Sequence, residues 1–289
     1  MKITNNSSLP LPLVNAVSRH DHEARPNTIS VTSLILPPQV RALSIRHDAE
    51  LSEDAADRLW ALLGTLLHHA LEKHAQGIKN LTTEEELSVD VLGWKIIGHY
   101  DLSEMLLDGE LLTDYKLTSV WSVKDGAKIE WEQQLNVYAH LIRHAGRQVS
   151  RLQIVAIGRD WSKNKAKFDS SYPQQQVKVL SVPLWTSEQA QKFIEKRVRL
   201  HQLAEIGEWP DCTPDERWAK PTQFALMKKN QKKAVKLFDD LETAENRLAT
   251  TPPHSHYIVE RPGESTRCLA YCSVANHCPQ FAAMQKGEA

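Results

Sequence analysis

Residues 98–119 read GHYDLSEMLLDGELLTDYKLTS, and this stretch constrains the chain more than any other. Asp101 falls at the end of one expected strand. After an Asp108-Gly109 turn, Asp114-Tyr115-Lys116 lie within the next. Side chains alternate faces along a strand, so Asp114 and Lys116 project the same way. Two carboxylates and an ammonium on one patch of sheet can hold a hard divalent cation and offset negative charge that develops beside it. That is the chemistry that cuts phosphodiesters. An Asp-x-Lys triplet also occurs on ordinary surface hairpins, so its context decides.

The context is an alternation of helices and strands. From Ser52 a helix is expected through SEDAADRLWALLGTLLHHALEKHA, with Leu59, Leu62, Leu63, Leu66, Leu67, Ala70 and Leu71 at helical spacing. ELSVDVLGWKIIGHYD reads as two strands around Gly93, and ELLTDYKL as a third. A helix is expected over residues 128–144, with Leu135, Tyr138, Leu141 and Ile142 on one side. Residues 152–160 and 176–185 read as strands, and Thr186 with Gln189 forms a capping box that opens a helix to about Glu205. Residues 222–248 contain an expected helix of high charge density, and HYIVERPGE a short strand. The order suits an α/β fold with a mixed sheet flanked by helices.

A formal charge of −1 leaves no bulk polycation, so any nucleic-acid contact must come from a local patch. No apolar run is long enough for a membrane span and the N-terminus lacks a signal-peptide core, which reads as a soluble cytoplasmic protein. Residues 1–30, rich in Asn, Ser, Pro and His, read as a flexible N-terminal arm. Three cysteines, Cys268, Cys272 and Cys278, cluster in RCLAYCSVANHCPQ, and Cys212 lies upstream. In a reducing compartment such clustering suits a four-thiolate site for an iron–sulfur cluster or for zinc.

The order GTLLHH, GHYD, DYK, QLNVY resembles the RecB-type branch of the PD-(D/E)XK nucleases. That branch includes exonuclease domains of bacterial recombination machines, CRISPR adaptation nucleases and phage exonucleases. The resemblance implies a restriction-endonuclease-like core over residues 31–205. Residues 206–289 would then be a C-terminal helical segment and cysteine-cluster module packed on that core. It maps the family's Gly-x-x-x-His onto Gly64 and His68, and its Gly-x-x-Asp onto Gly98 and Asp101. Asp114 and Lys116 fall on the signature acid and lysine, and Gln134 and Tyr138 on its Gln-x-x-x-Tyr helix. Metal, Mg²⁺ or Mn²⁺, would be held by His68, Asp101 and Asp114. Lys116 would assist the attacking water, and Gln134 and Tyr138 would flank the active site from one helix face. Family members with an iron–sulfur module end in three close cysteines and usually take the fourth from before the core. Here Cys212 would supply it, and the first gap is Cys-x-x-x-Cys, so [4Fe–4S] and zinc both stay open as a structural clasp. Glu86 and Asp90 give no strong reason for inclusion.

Two basic stretches are candidate DNA contacts. RDWSKNKAKF interleaves Trp161 with Lys163, Lys165 and Lys167, as a phosphate-tracking and base-stacking surface would. MKKNQKKAVK reads equally as the solvated face of a charged helix. The expected function is a metal-dependent DNA exonuclease in phage or bacterial recombination, repair or DNA turnover. DNA ends, single-stranded or resected, would be its substrate, and a recombination protein and further copies of the chain are candidate partners. Two rivals stand beside it: a catalytically silent DNA-binding adaptor subunit, and a zinc-stabilised interaction protein.

Overall fold

The computed structural model describes residues 1–18 and 25–287, which divide into two compact units. The first comprises residues 1–42 and 48–209, the second residues 43–47 and 210–289.

The first unit is mixed α/β. Strand β1 (Glu86–Val91) buries every second residue, Leu87, Val89 and Val91, as a half-buried strand must. It turns back through Leu92 and Gly93, both at positive φ (50° and 80°), into β2 (Trp94–His99). Two left-handed residues give the turn whose twist matches a two-residue hairpin. Thr28–Ser30 extends this sheet by pairing parallel to β2. The chain then enters a five-stranded sheet. Strand β3 (Leu102–Leu106) pairs antiparallel with β4 (Gly109–Thr118), β4 parallel with β5 (Val149–Gly158), and β5 antiparallel with β6 (Val177–Val182). Leu81–Thr82 closes the far edge against β3.

Parallel strands need a crossover, and β4 reaches β5 through α2 (Ile129–His144). Its residues from Gln134 to Ile142 are all buried, more than the one apolar side legible in its sequence. Leu135, Val137, Leu141 and Ile142 pack with Ile96, Leu112, Leu152 and Ile154 of the sheets, and with Ile194 and Val198 of α3 (Ser187–Glu205). The capping box at Thr186 and Gln189 is present.

Two expectations are corrected. The helix expected from Ser52 begins at Leu59 as α1 (Leu59–Ala75), because Ser52–Asp54 forms a strand parallel to Lys2–Thr4 and Ala55–Arg58 a 3₁₀ turn. Asp54 holds that turn by accepting from the N–H groups of Ala56 (3.1 Å) and Asn6 (2.8 Å). A strand partner about fifty residues away leaves no trace in local periodicity. It also means that the segment read as a flexible arm contributes two strands, Lys2–Thr4 and Thr28–Ser30. Of that arm, residues 19–24 lie outside the described residues.

The second correction lies in the second unit. Residues 222–248 are mostly a hairpin: β7 (Gln223–Lys228) pairs antiparallel with β8 (Ala234–Phe238) and on its other side with β9 (His256–Arg261). Only α4 (Leu241–Ala249) is helical, opened by Asp240, which accepts from the Thr243 N–H at 2.7 Å. Leu226 and Phe238 alternate onto one face and bury against Ala244. The lysines crowd the turn, where Asn230 takes φ 66°. Strand pairing on both sides of β7 and burial of Leu226 and Phe238 therefore overrode the helix-favouring composition. Among the described residues, no helix is long and apolar enough to cross a membrane.

Candidate active site and cysteine cluster

Asp101 sits at the joint where the chain leaves β2 for β3. Its Oδ2 accepts from the Tyr115 N–H of β4 at 2.8 Å, which ties the joint to the strand that carries Asp114 and Lys116. Its Oδ1 faces His68 Nδ1 at 3.2 Å, on the inward side of α1. This contact holds the His68 imidazole above its ordinary pKa, against a smaller opposing effect of burial.

Asp114 is only 2% exposed. Burial pushes its carboxyl up to about 6, against the pull of Lys116 and with a further push from Asp101. The Lys116 ammonium lies 2.8 Å from Asp114 Oδ2 and donates to Gln134 Oε1 at 2.9 Å. Gln134 in turn reaches the Tyr138 hydroxyl at 3.5 Å from Nε2. The i,i+4 spacing on α2 thus aims both side chains at one place. Gln134 there positions the lysine through its carbonyl oxygen.

Gly98 shows why the strand before Asp101 carries a glycine. A Cβ there would stand 2.6 Å from the Tyr138 ring and 2.6 Å from Val31. The motif on β2 and the motif on α2 are therefore two sides of one contact, a link spacing alone does not reveal.

Sequence reasoning missed Glu84. Ligand atoms of His68, Glu84 and Asp101 lie within 4.8 Å of one another, and burial together with Asp101 raises the Glu84 carboxyl above its usual range. Glu84 reaches this position at φ 50°, with its N–H donating to the Tyr100 carbonyl at 3.1 Å. Three glutamates run from Glu84 to Glu86, and only the turn selects the first. Glu86 instead faces His99, at 3.3 Å, and Asp90 is exposed on β1.

In the second unit, Cys212 is buried, and its thiol is pushed up to about 12, first by burial and then by Glu216, Cys278 and Cys268. Cys268 is raised by burial and by Cys272 and Cys278, and Cys278 by burial and Cys272. Cys212 thus feels Cys268 and Cys278, and both of these feel Cys272. Gln280 clamps the Cys212 backbone from both sides, accepting its N–H at 2.9 Å and donating to its carbonyl at 3.0 Å. Cys278 Sγ accepts from the Phe281 N–H at 3.4 Å, and Arg217 and Arg267 lie near enough to oppose the rise at Cys268. Among the described residues, no three of these sulfurs come within 4.8 Å of one another.

Of the other candidate DNA contacts, Trp161 is half-buried and its Nε1 donates to the Pro173 carbonyl at 2.9 Å. Lys163, Lys165 and Lys167 are exposed on the short helix Lys163–Phe168.

No family model matches the chain, and no curated protein matches it. Among solved structures, the chain is similar to the crystal structure of SSO0001, with 23% identity and a TM-score of 0.47 over 71% of this chain and 87% of that one. It is also similar to the crystal structure of a "Putative exonuclease" from Eubacterium rectale, with 13% identity and a TM-score of 0.32 over 48% of this chain and 49% of that one. At these scores the chemistry of the site rests on its own geometry.

Proposed function

We propose that this chain is a metal-dependent deoxyribonuclease with a PD-(D/E)XK core of the RecB type, acting on DNA ends. One observation carries the reading: a buried carboxylate, Asp114, held against an ammonium, Lys116, with a histidine–aspartate pair electrostatically coupled to both. Surface charge placed for solubility has no reason to bury a carboxylate.

His68, Asp101 and Asp114 would hold Mg²⁺ or Mn²⁺ on this reading, and Glu84 would join them, since the ligand atoms that lie within 4.8 Å of one another are those of His68, Glu84 and Asp101. Such a cation, when bound, supplies Lewis acidity and lowers the pKa of water. The protein's own residues do the rest. His68 and Asp101 orient each other at 3.2 Å and would turn these atoms to the cation when it is present. Lys116, kept in place by Asp114 and Gln134, offsets charge that builds on the phosphate. Tyr138 backs Gln134 and keeps water from the buried side.

For the cysteine cluster we propose a structural [4Fe–4S] centre, with zinc as the alternative. A zinc tetrahedron with Zn–S bonds of ~2.3 Å requires all four sulfurs about 3.8 Å apart, whereas among the described residues no three of these sulfurs lie within 4.8 Å of one another. Thiols raised by burial need a bound cation to persist as thiolates. The reading extends to a cytoplasmic enzyme of recombination, repair or DNA turnover, with a recombination protein or further copies of the chain as partners.

The test is degradation of end-labelled single- and double-stranded DNA with Mg²⁺ or Mn²⁺, comparing wild type with Lys116→Ala and Asp114→Ala. Metal-dependent cutting lost in both variants supports the nuclease. DNA binding without cutting by a folded, metal-replete wild type favours a silent adaptor subunit instead.

A further inference from the structure

We infer that the cavity at the carboxyl end of β4 is a nucleobase subsite for the strand being cut, an inference that rests on the nuclease reading above. The cavity measures about 350 Å³, within the range of about 300–1,000 Å³ typical of small-molecule sites. Its position follows from register. Asp114, Lys116 and Thr118 share one face of β4 by alternation. The partners of Lys116 and Thr118 on β5 are Ala156 and Gly158, and Thr118, Ala156 and Gly158 all line the cavity. At ~3.3 Å per residue, Thr118 lies only about 7 Å along the strand from Lys116. A phosphate at Lys116 therefore leaves its neighbouring base at the cavity mouth.

The lining has the chemistry of base recognition. Trp121 is 47% exposed and is steadied edge-on by Tyr172, at a ring separation of 5.6 Å, so an indole face is presented ready for stacking. Three consecutive amides follow, Gln174, Gln175 and Gln176. Gln174 donates from Nε2 to the carbonyls of Asp169 (3.1 Å) and Tyr172 (2.6 Å), and Gln176 to that of Gly158 (3.4 Å). In both, the amide oxygen is the atom still able to accept. Gln175 is exposed, and its amide can both donate and accept, as a base edge requires. Lys124 and Lys178 add two cations, and no carboxylate lines the cavity. Lys178 donates to the Val123 carbonyl at 2.8 Å, which points its ammonium along the wall.

Trp161, the aromatic expected to stack, has its indole N–H committed to the Pro173 carbonyl. Trp121 takes that role. A base can enter such a cavity only when it is unstacked from its neighbours, which selects single-stranded or frayed ends.

The test uses the full-length chain without added divalent cation, so that strands bind uncut. Anisotropy would measure Kd for a labelled eight-nucleotide single strand and for strands with one abasic position moved along it. Wild type is expected to lose about 5- to 30-fold in affinity at one or two positions and little elsewhere. Trp121→Ala should abolish that position dependence, Trp121→Phe should restore it, and Gln175→Ala should change which base is preferred there. The same variants would then be assayed for cutting with Mg²⁺. A deoxynucleoside monophosphate as competitor separates a product site from a strand site: competition at concentrations comparable to the oligonucleotide would overturn the strand subsite. Equal loss at every abasic position would also overturn it. If wild type cuts DNA while Trp121→Ala and Gln175→Ala bind and cut unchanged, the subsite falls and the nuclease stands. If binding is base-dependent through Trp121 but nothing is cut, the subsite stands and the nuclease reading falls.

Discussion

The two charged centres of this molecule solve opposite problems. In the first unit Lys116 faces Asp114 and His68 faces Asp101, so opposite charges already stand together there. A broad core from β2 to α3 surrounds it. In the second unit the Cys212, Cys268 and Cys278 thiols are raised by burial and by neighbouring cysteines, and the three-stranded sheet offers a small core of Leu226, Phe238 and Ala244 with their neighbours. On the reading proposed above, a catalytic site that exchanges its cation would hold its shape without it, whereas a cation held permanently by the cysteines would be able to complete the fold there.

The largest effect separates the two units directly. Stripping bound metal with a chelator should unfold the cysteine segment, at a cost on the order of several kcal/mol, and leave the first unit protected. Hydrogen exchange read by mass spectrometry checks this. Slow exchange persisting across residues 256–287 after metal removal would erase the distinction.

Next comes chemistry. Lys116→Ala should lower kcat by about 10²–10³-fold with the fold intact, as circular dichroism and single-turnover kinetics would show. A loss confined to KM would mean that Lys116 only binds substrate.

Compensation in the first unit is incomplete, and pH exposes the remainder. The folded Asp114 carboxyl titrates near 6, above its ordinary value of 3.8, so the folded state holds its proton more tightly than the unfolded state does. Stability is therefore full below pH 4 as far as this group is concerned, falls as pH rises from about 4 to 6, and stays reduced above. The loss is on the order of 2–3 kcal/mol. Urea titrations without divalent cation should find Asp114→Asn more stable than wild type at pH 8 and nearly equal at pH 4. Equal stability at both would show that Lys116 already cancels the cost of burial.

The smallest effect tests the packing beneath the site. Gly98→Ala should destabilise by about 1–3 kcal/mol, because its Cβ meets Tyr138 and Val31 at 2.6 Å. The variant should lose activity beyond that, since Tyr138 supports Gln134. An unchanged melting temperature would show that the ring can move aside.

Much of this was legible in the chain because it is local. Alternation in ELSVDV and the Gly93 turn specify a hairpin, and the capping box at Thr186 marks a helix start. The spacing from Gln134 to Tyr138 aligns two side chains on one helix. The lysine-rich run after Gln223 misled because its charges suggest a helix surface, whereas they crowd the turn between two short strands, the first of which also pairs non-locally with β9. Glu84 was hidden for a different reason. Three adjacent glutamates look alike until a turn at positive φ brings one of them beside His68 and Asp101.

By itself, then, the sequence determined the residue types, their periods, and a set of motifs in an order that points to phosphodiester chemistry. Those follow from local geometry, where two or four residues of spacing place side chains together. The tertiary structure alone decided which of them meet. His68, Asp101, Lys116 and Gln134 converge because the joint after β2, strand β4 and helix α2 are set by one core, while α1, which buries no residue of its own, brings His68 to Asp101. It likewise turned Gln134 towards Lys116 and opened a cavity beside Thr118 with Trp121 at its rim. These contacts span up to scores of residues, and only burial of the shared apolar core pays their entropy of closure.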